Sequence, residues 1–238
     1  LFLKTGTFEE ELPIVVPRDV AIVGDELRSV AIKPATGFET ANMFYMSNGS
    51  GLRNCTLQGL NGALGDLNEY LTRRPTAGSY VSLNPGTGPN DQTAWIDSKS
   101  PYVQNVSAFG TGCTGMKIDG ALHNGGYRSM VANDFTQILS DGIGYWASGE
   151  GRSELVSVFT YYCHIGYLAT GGGKLRATNG NNSYGQFGSV AEGVNDEELP
   201  ITATLNNRAK EAQASEVYSD ENGKIIGLSY SHAGQDYT

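Results

Sequence analysis

IGYWASGEG at residues 143–151 and IGYLATGGG at residues 165–173 are one nine-residue phrase written twice, 22 residues apart. The offset lays Gly144 on Gly166, Tyr145 on Tyr167, Ala147 on Ala169, Gly149 on Gly171 and Gly151 on Gly173, then Arg152 on Lys174 and Tyr162 on Tyr184. Looser copies run outward in both directions: NVSAFG at 105–110, VANDF at 131–135, LVSVF at 155–159 and RATNG at 176–180. Phe109, Phe135 and Phe159 fall 26 and 24 residues apart, so the repeat tolerates insertions at its turns.

A period in the low-to-mid twenties with short alternating apolar segments leaves few architectures. Leucine-rich repeats carry a leucine ladder and a helical half, which this pattern lacks, and propeller blades need about forty residues each. The length suits one coil of a right-handed, single-stranded parallel β-helix, an all-β fold whose coils stack about 4.8 Å apart. One coil cannot bury its own inward side chains, so stacking creates the core. Val131, Phe135, Ile138 and Leu139 are the expected inward residues of one coil, and Leu155, Val158 and Phe159 those of the next. Asn105, Asn133 and Asn179 recur near the strand-to-turn transition. Asparagine tolerates left-handed backbone and bonds to neighbouring backbone, so these residues are either an asparagine ladder between coils or ordinary turn residues.

The same pattern extends to the N-terminus. Residues 1–35 alternate strands with Gly, Pro and Gly-Asp turns, and residues 43–59 supply a further coil. Residues 61–93 break the rhythm and read as one inserted loop that opens with a short helix over 63–73. The repeat region therefore spans 1–193. Residues 194–238 read as a small capping or linking module: an acidic link at 195–199, a strand at 201–205, a short helix at 206–214, and a hairpin through the turn Asp220-Glu221-Asn222-Gly223. Asn-Gly is a strong hairpin signal. The chain opens at Leu1 inside a strand-like run and stops at Thr238 in a polar stretch, so both ends read as cuts in a longer protein.

Composition narrows the partners. Glycine supplies 32 of 238 residues, nearly twice the usual ~7%, as many tight turns require. Sixteen Lys and Arg face 25 Asp and Glu, a net charge of −9, with no basic stripe. Nucleic acid and anionic membrane are therefore poor partners, and no apolar run approaches the ~18 residues of a membrane span. Cys55, Cys113 and Cys163 lack metal-ligand spacing and read as small buried hydrophobes.

GTFEEELPIVVPRDVAIVGDE, at 6–26, resembles the first coil of many β-helix proteins, including pectin methylesterases and pectate lyase-like proteins. Residues 131–193, together with SPYVQNVSAFGTGCTGMKIDG at 100–120, resemble β-helical structural proteins of tailed bacteriophages, notably contractile-tailed marine cyanophages. LSYSHAGQDYT at 228–238 is similar to a short module repeated further along in those proteins. The resemblance implies a virion component of the tail, baseplate or fibre, homotrimeric, in contact with other virion proteins and with the host surface. The rival reading is a tailspike that cleaves or deacylates host-surface glycans, and a bacterial adhesin with an upstream secretion signal is a third.

Catalytic sets known on this fold are missing. Asp134-Phe135-Thr136-Gln137 shares two letters with the pectin methylesterase segment Asp-Phe-Ile-Phe-Gly, and no Arg-Pro-Trp partner follows. His123 and His164 lack a Gly-His-Gly context. Asp134 and Asp141, with Asp119, are the candidate acids, since paired carboxylates are the minimum for glycoside hydrolysis. Asp-Gly at 119–120 and 141–142 fits turns better, and Asp134 too reads as a turn residue. No phosphate loop, GxSxG elbow or zinc spacing appears, and no metal or cofactor is expected. Among aromatics, Trp95, Tyr102 and Trp146 are the candidate glycan-stacking residues. Tyr145, Tyr161, Tyr162 and Tyr184 recur with them, and core packing or trimer contact is favoured over sugar binding for the set.

Overall fold

A computed structural model of the chain describes residues 1–67, 72–193, 213–222 and 224–232. The chain forms two compact units, Leu1–Glu192 and Gly193–Thr238. The first is built from two parallel sheets visited alternately. Sheet B contains seven strands, Ile14–Val16, Phe44–Met46, Ser79–Leu83, Thr114–Asp119, Ile143–Ser148, Ile165–Thr170 and Phe187–Glu192, neighbouring one another in sequence order. Sheet A precedes it in each of the seven circuits: Phe2–Leu3 with Gly6–Glu10, Ala21–Gly24 with Val30–Pro34, Gly51–Asn61, Tyr102–Thr111, Ser129–Ser140, Arg152–Val156 with Phe159–Tyr161, and Lys174–Thr178 with Asn181–Ser183. Every pairing inside the two sheets is parallel and joins one circuit to the next.

The 22-residue phrase is the register of this stack. Ile143 lies opposite Ile165 and Tyr145 opposite Tyr167, and Ile165 in turn lies opposite Phe187. Tyr145 is fully buried, stacked on Tyr167 at 5.6 Å and edge-on to Phe135 at 6.0 Å. Its hydroxyl donates to the Phe135 carbonyl at 2.8 Å, so the polar tip is satisfied inside the core.

In circuits three to seven the passage through sheet A bends at a non-glycine residue with positive φ: Asn54 (55°), Asn105 (52°), Asp134 (52°), Ser157 (50°) and Asn179 (55°). A strand alternates inward and outward with period two, and a left-handed residue removes one position from that count. The inward set therefore changes parity at the bend. Leu52, Val103, Ala132 and Leu155 are buried before it; Cys55, Val106, Phe135 and Val158 are buried immediately after it, followed by Leu57, Ala108, Gln137 and Thr160. This corrects the inward assignment drawn from the sequence. Phe135, Leu139, Leu155 and Val158 are in the core, but Val131, Ile138 and Phe159 are half-buried and outside it, displaced by Met130, Ala132, Gln137 and Thr160.

The inserted region also differs from expectation. Residues 64–67 and 73–75 form an antiparallel pair, Leu64 opposite Pro75, where a short helix was expected. The chain then returns to a fully buried strand, Ser79–Leu83, before a second loop leads to Tyr102. Two excursions thus replace the single loop over 61–93. The first leaves past Gly112 (φ 53°), where a Cβ would sit 2.3 Å from the Ala63 nitrogen.

In the second unit, Gln213–Ser219 and Ile225–His232 form the expected antiparallel hairpin, with Asp220 accepting from the Asn222 and Lys224 amides at 2.9 Å. The expected link at 195–199 and strand at 201–205 lie outside the described residues. So does most of the expected helix at 206–214, whose last two residues instead begin the hairpin.

Candidate functional site

The acids singled out from the sequence stand apart. Asp134 occupies the bend of circuit five, and Asp141 (φ 54°) the corner between the sheets. Six residues of largely extended chain, 135–140, lie between them, about 20 Å at ~3.3 Å per residue. Asp119 is at the far end of a sheet B strand, where its carboxylate accepts from the Ala121 amide at 3.1 Å and lies 3.9 Å from the Lys117 ammonium. Asp134, Asp141 and Asp119 are all turn or cap residues. Glycoside hydrolysis needs carboxyl groups about 5–10 Å apart, so this geometry does not assemble an acid pair from Asp134 and Asp141.

Asp134 instead belongs to a polar column along the bends. Asn105 donates to the Asn54 side-chain oxygen at 3.0 Å, and Asn179 donates to the Ser157 hydroxyl at 3.1 Å. Asn133, expected in this ladder, is an ordinary strand residue paired with Gln104 and Val156. Asn54 and Ser157 are the members that the sequence pattern missed. Spacing Asn54 and Asn105 by the intervening excursions, once known, exposes the first.

His123, His164 and the three cysteines are buried. His123 is fully buried, with Nε2 2.8 Å from the Asn84 carbonyl, and His164 bonds Gln186 through Nδ1. Burial pushes the thiols of Cys55, Cys113 and Cys163 up to about 12, so at neutral pH they are protonated and unsuited to nucleophilic chemistry. Among the described residues no group of three or more His, Cys, Asp or Glu side chains is placed to hold a metal ion, and no helix is long and apolar enough to cross a membrane.

The three candidate aromatics are dispersed. Trp95 donates from Nε1 to the Pro89 carbonyl at 3.0 Å, and its ring fills the space a Cβ on Gly125 would need. It packs the second loop. Tyr102 begins the sheet A strand of circuit four, with the Arg53 guanidinium 5.8 Å from its ring centre. Trp146 lies on the outer side of sheet B, with Lys117 at 4.2 Å and Arg74 at 5.3 Å from its ring and its Nε1 donating to Thr170 at 2.9 Å. Arg74 also pairs with Glu192 at 2.5 Å, and Thr72 donates to the same carboxylate. Trp146 is therefore the centre of a clamp by which the first excursion grips circuits four to seven. Beside it, Ile143, Ile165 and Leu168 form a second buried apolar cluster, separate from the main core.

The free aromatic surface is elsewhere. Tyr162 and Tyr184 stack at 5.4 Å and are 53% and 78% exposed, both with φ of 60°. A bulky residue in left-handed backbone is uncommon, and such outliers concentrate where function over-determines the conformation. They occupy the corner where Gly112 and Asp141 stand in earlier circuits, one residue shorter here. The sequence did signal them, as the pair superposed by the 22-residue offset. Next to this corner runs the second limb of sheet A, the part after each bend, whose outward side presents Phe109, Ile138 and Tyr161 in register, with Phe159 two residues before Tyr161. This limb and its tyrosine corner form the candidate functional surface.

No family model matches the chain, and neither a curated protein nor a solved structure is found similar to it.

Proposed function

We propose that this chain is a segment of a structural rod in the virion of a tailed bacteriophage, in the tail, baseplate or fibre. The alternating parallel sheets are the walls of a right-handed, single-stranded parallel β-helix. Parallel crossover connections within one sheet are right-handed in about 98% of cases, which favours that hand. The observation that carries the mechanical reading is the shared interior of the stacked circuits. Six circuits share one buried interior, from Val16 and Ile22 to Leu155 and Val158, with Leu175 of the seventh packed against it, so bending the stack would open parallel ladders on one side. The viral setting rests on the resemblance of residues 100–120 and 131–193 to phage structural proteins. In that setting the rod is a homotrimer among other virion proteins and contacts the host surface.

Sedimentation of the 238-residue chain at micromolar concentration tests this reading. A trimer that persists in detergent is expected, and a monomer across the range counts against it. Imaging an intact particle with antibody against the chain locates it on the tail or refutes a virion role. The tailspike alternative keeps one supporting feature, the exposed tyrosine pair, whose flat faces suit sugar rings. New reducing ends, unsaturated ends or released acyl groups from host glycan, lost on Asp134→Asn or Asp141→Asn, would favour it.

A further inference from the structure

We infer that the second limb of sheet A is the face through which copies of this chain meet along their axis; the inference rests on the assembly reading above and names its surface. The molecule carries 41 charged side chains, yet the five strand segments of this limb in circuits three to seven, CTLQGLN (55–61), VSAFGT (106–111), FTQILS (135–140), FTY (159–161) and NNS (181–183), contain no Asp, Glu, Lys or Arg; on its strands charge is confined to circuits one and two, where Glu9 pairs with Lys33. The first limb differs: its outer side carries Arg53, Glu154, Arg152, Lys174 and Arg176. Sheet B differs again, because the clamp of Arg74, Trp146 and Glu192 occupies its outer side. Loss of charge together with gain of aromatics distinguishes the centre of a protein interface from ordinary surface.

Phe109, Ile138, Phe159 and Tyr161 are half-buried and do not belong to the core cluster, so the interior of one chain does not account for them. Phe109, Ile138 and Tyr161 follow one another from circuit to circuit, parallel to the stack, which suits side-by-side copies. At ~4.8 Å per circuit the charge-free limb runs about 24 Å, and its strands are about 17 Å wide, roughly 400 Å² in projection. That is about half of the ~800 Å² each partner buries in a standard interface. The limb is therefore the dry centre of the contact, with Asp134 and Asp141 at its two edges and the Tyr162–Tyr184 stack extending it. A second copy is favoured over a glycan because charged side chains are missing from the limb's strands through circuits three to seven, whereas sugar sites set polar and charged partners around the aromatic platform.

Two substitutions and one cross-link test this. Tyr161→Arg puts a charge at the centre of the face without entering the core, and Glu154→Arg places one on the first limb as a control. Self-association of the full chain, measured by sedimentation, is expected to weaken at least about 30-fold in Tyr161→Arg and to change little in Glu154→Arg, with the circular dichroism of both unchanged. Thr136→Cys adds an outward thiol to a chain whose three native thiols are buried, and a short bis-maleimide is expected to join copies only through it. An assembled wild type that tolerates Tyr161→Arg and does not cross-link at residue 136 overturns the inferred face but leaves the trimer standing. A monomeric wild type overturns both. Assembly intact with glycan binding lost in Tyr161→Arg would hand the face to sugar and also refute the inference.

Discussion

Replacing Gly144 by alanine is a sharp probe of the register between circuits five and six. An ideal Cβ at residue 144 falls 2.5 Å from the carbonyl oxygen of Gly166 and 2.5 Å from the Thr160 methyl. The first of these atoms is backbone, held in a strand that pairs on both sides, at Tyr145–Tyr167 and at Tyr167–Ser189. It cannot retreat without loosening two ladders. Overpacking a filled interior costs about 1–3 kcal/mol, and a clash with fixed backbone belongs at the upper end, about 3 kcal/mol. Gly171→Ala supplies the contrast. There the nearest atom is 3.5 Å away, and the cost comes from φ of 52° alone, about 1–2 kcal/mol. Urea unfolding followed by circular dichroism should therefore lower the midpoint more for Gly144→Ala than for Gly171→Ala. Adding Thr160→Ser to Gly144→Ala removes the methyl contact but not the Gly166 oxygen, so it should restore less than half of the loss. An unperturbed midpoint in Gly144→Ala, or full rescue by Thr160→Ser, would mean that circuits five and six are not stacked in this register.

Three further outcomes follow from the same geometry. Arg74→Ala should release Trp146 from its guanidinium and leave Glu192, whose side chain is 6% exposed, without its ion-pair partner, at about 1–3 kcal/mol; iodide quenching of tryptophan fluorescence should rise, and unchanged quenching would refute the clamp. Asp134→Asn should alter stability by less than about 1 kcal/mol in urea unfolding, because asparagine already serves at Asn105 and Asn179 in the same left-handed column; a large loss would give Asp134 a role beyond the bend. Cys55, Cys113 and Cys163 ionise near 9.0 when exposed and at about 12 when buried, so the folded chain holds their protons more tightly. Their contribution to stability is complete below pH 9 and declines as pH rises from 9 towards 12. A Cys113→Ala variant should show a shallower decline over that window, and an identical slope would refute the assignment.

The circuit length was legible because residues 143–151 and 165–173 face one another directly, with no insertion between them, and the sequence offset is the pairing offset. Circuits three and four were harder, since excursions after Asn61 and after Leu83 separate strands that pair across 51 positions, as Val106 does with Cys55. The antiparallel pairing of residues 64–67 with 73–75 was not legible because bonds from the Arg73 guanidinium to the Leu64 and Gly65 carbonyls, nine and eight positions away, decide the outcome. Trp146 stood out in the sequence only as a candidate for sugar stacking, because Arg74 over its ring and Glu192 bonded to Arg74 lie 72 and 46 positions away, beyond any local pattern. The tyrosine pair was visible as a repeat; its left-handed backbone and exposure were not, because sequence offers no sign that a bulky residue occupies a corner filled by Gly112 two circuits earlier.

The misplaced inward residues carry a more general point. Val131, Ile138 and Phe159 were assigned to the interior because apolar residues at strand spacing belong somewhere dry, and only the left-handed residues Asp134 and Ser157 send Ile138 and Phe159 to the other side. Hydrophobic pattern reports that a side chain avoids water, not which enclosure it avoids water in. A rod built from several parallel stacks has two kinds of enclosure, one inside each stack and one between stacks. On the proposed assembly, Ile138 and Phe159 were rightly marked as dry and wrongly given to the first kind. The charge count separates the two where hydrophobicity cannot: inside a stack no Asp, Glu, Lys or Arg is buried among the described residues, while outside it the strands of circuits three to seven lose charge only on the limb proposed to meet another copy. Tyr161→Arg leaves the first enclosure untouched and breaks the second, so its effect on assembly, with folding unchanged, decides whether this chain has one interior or two.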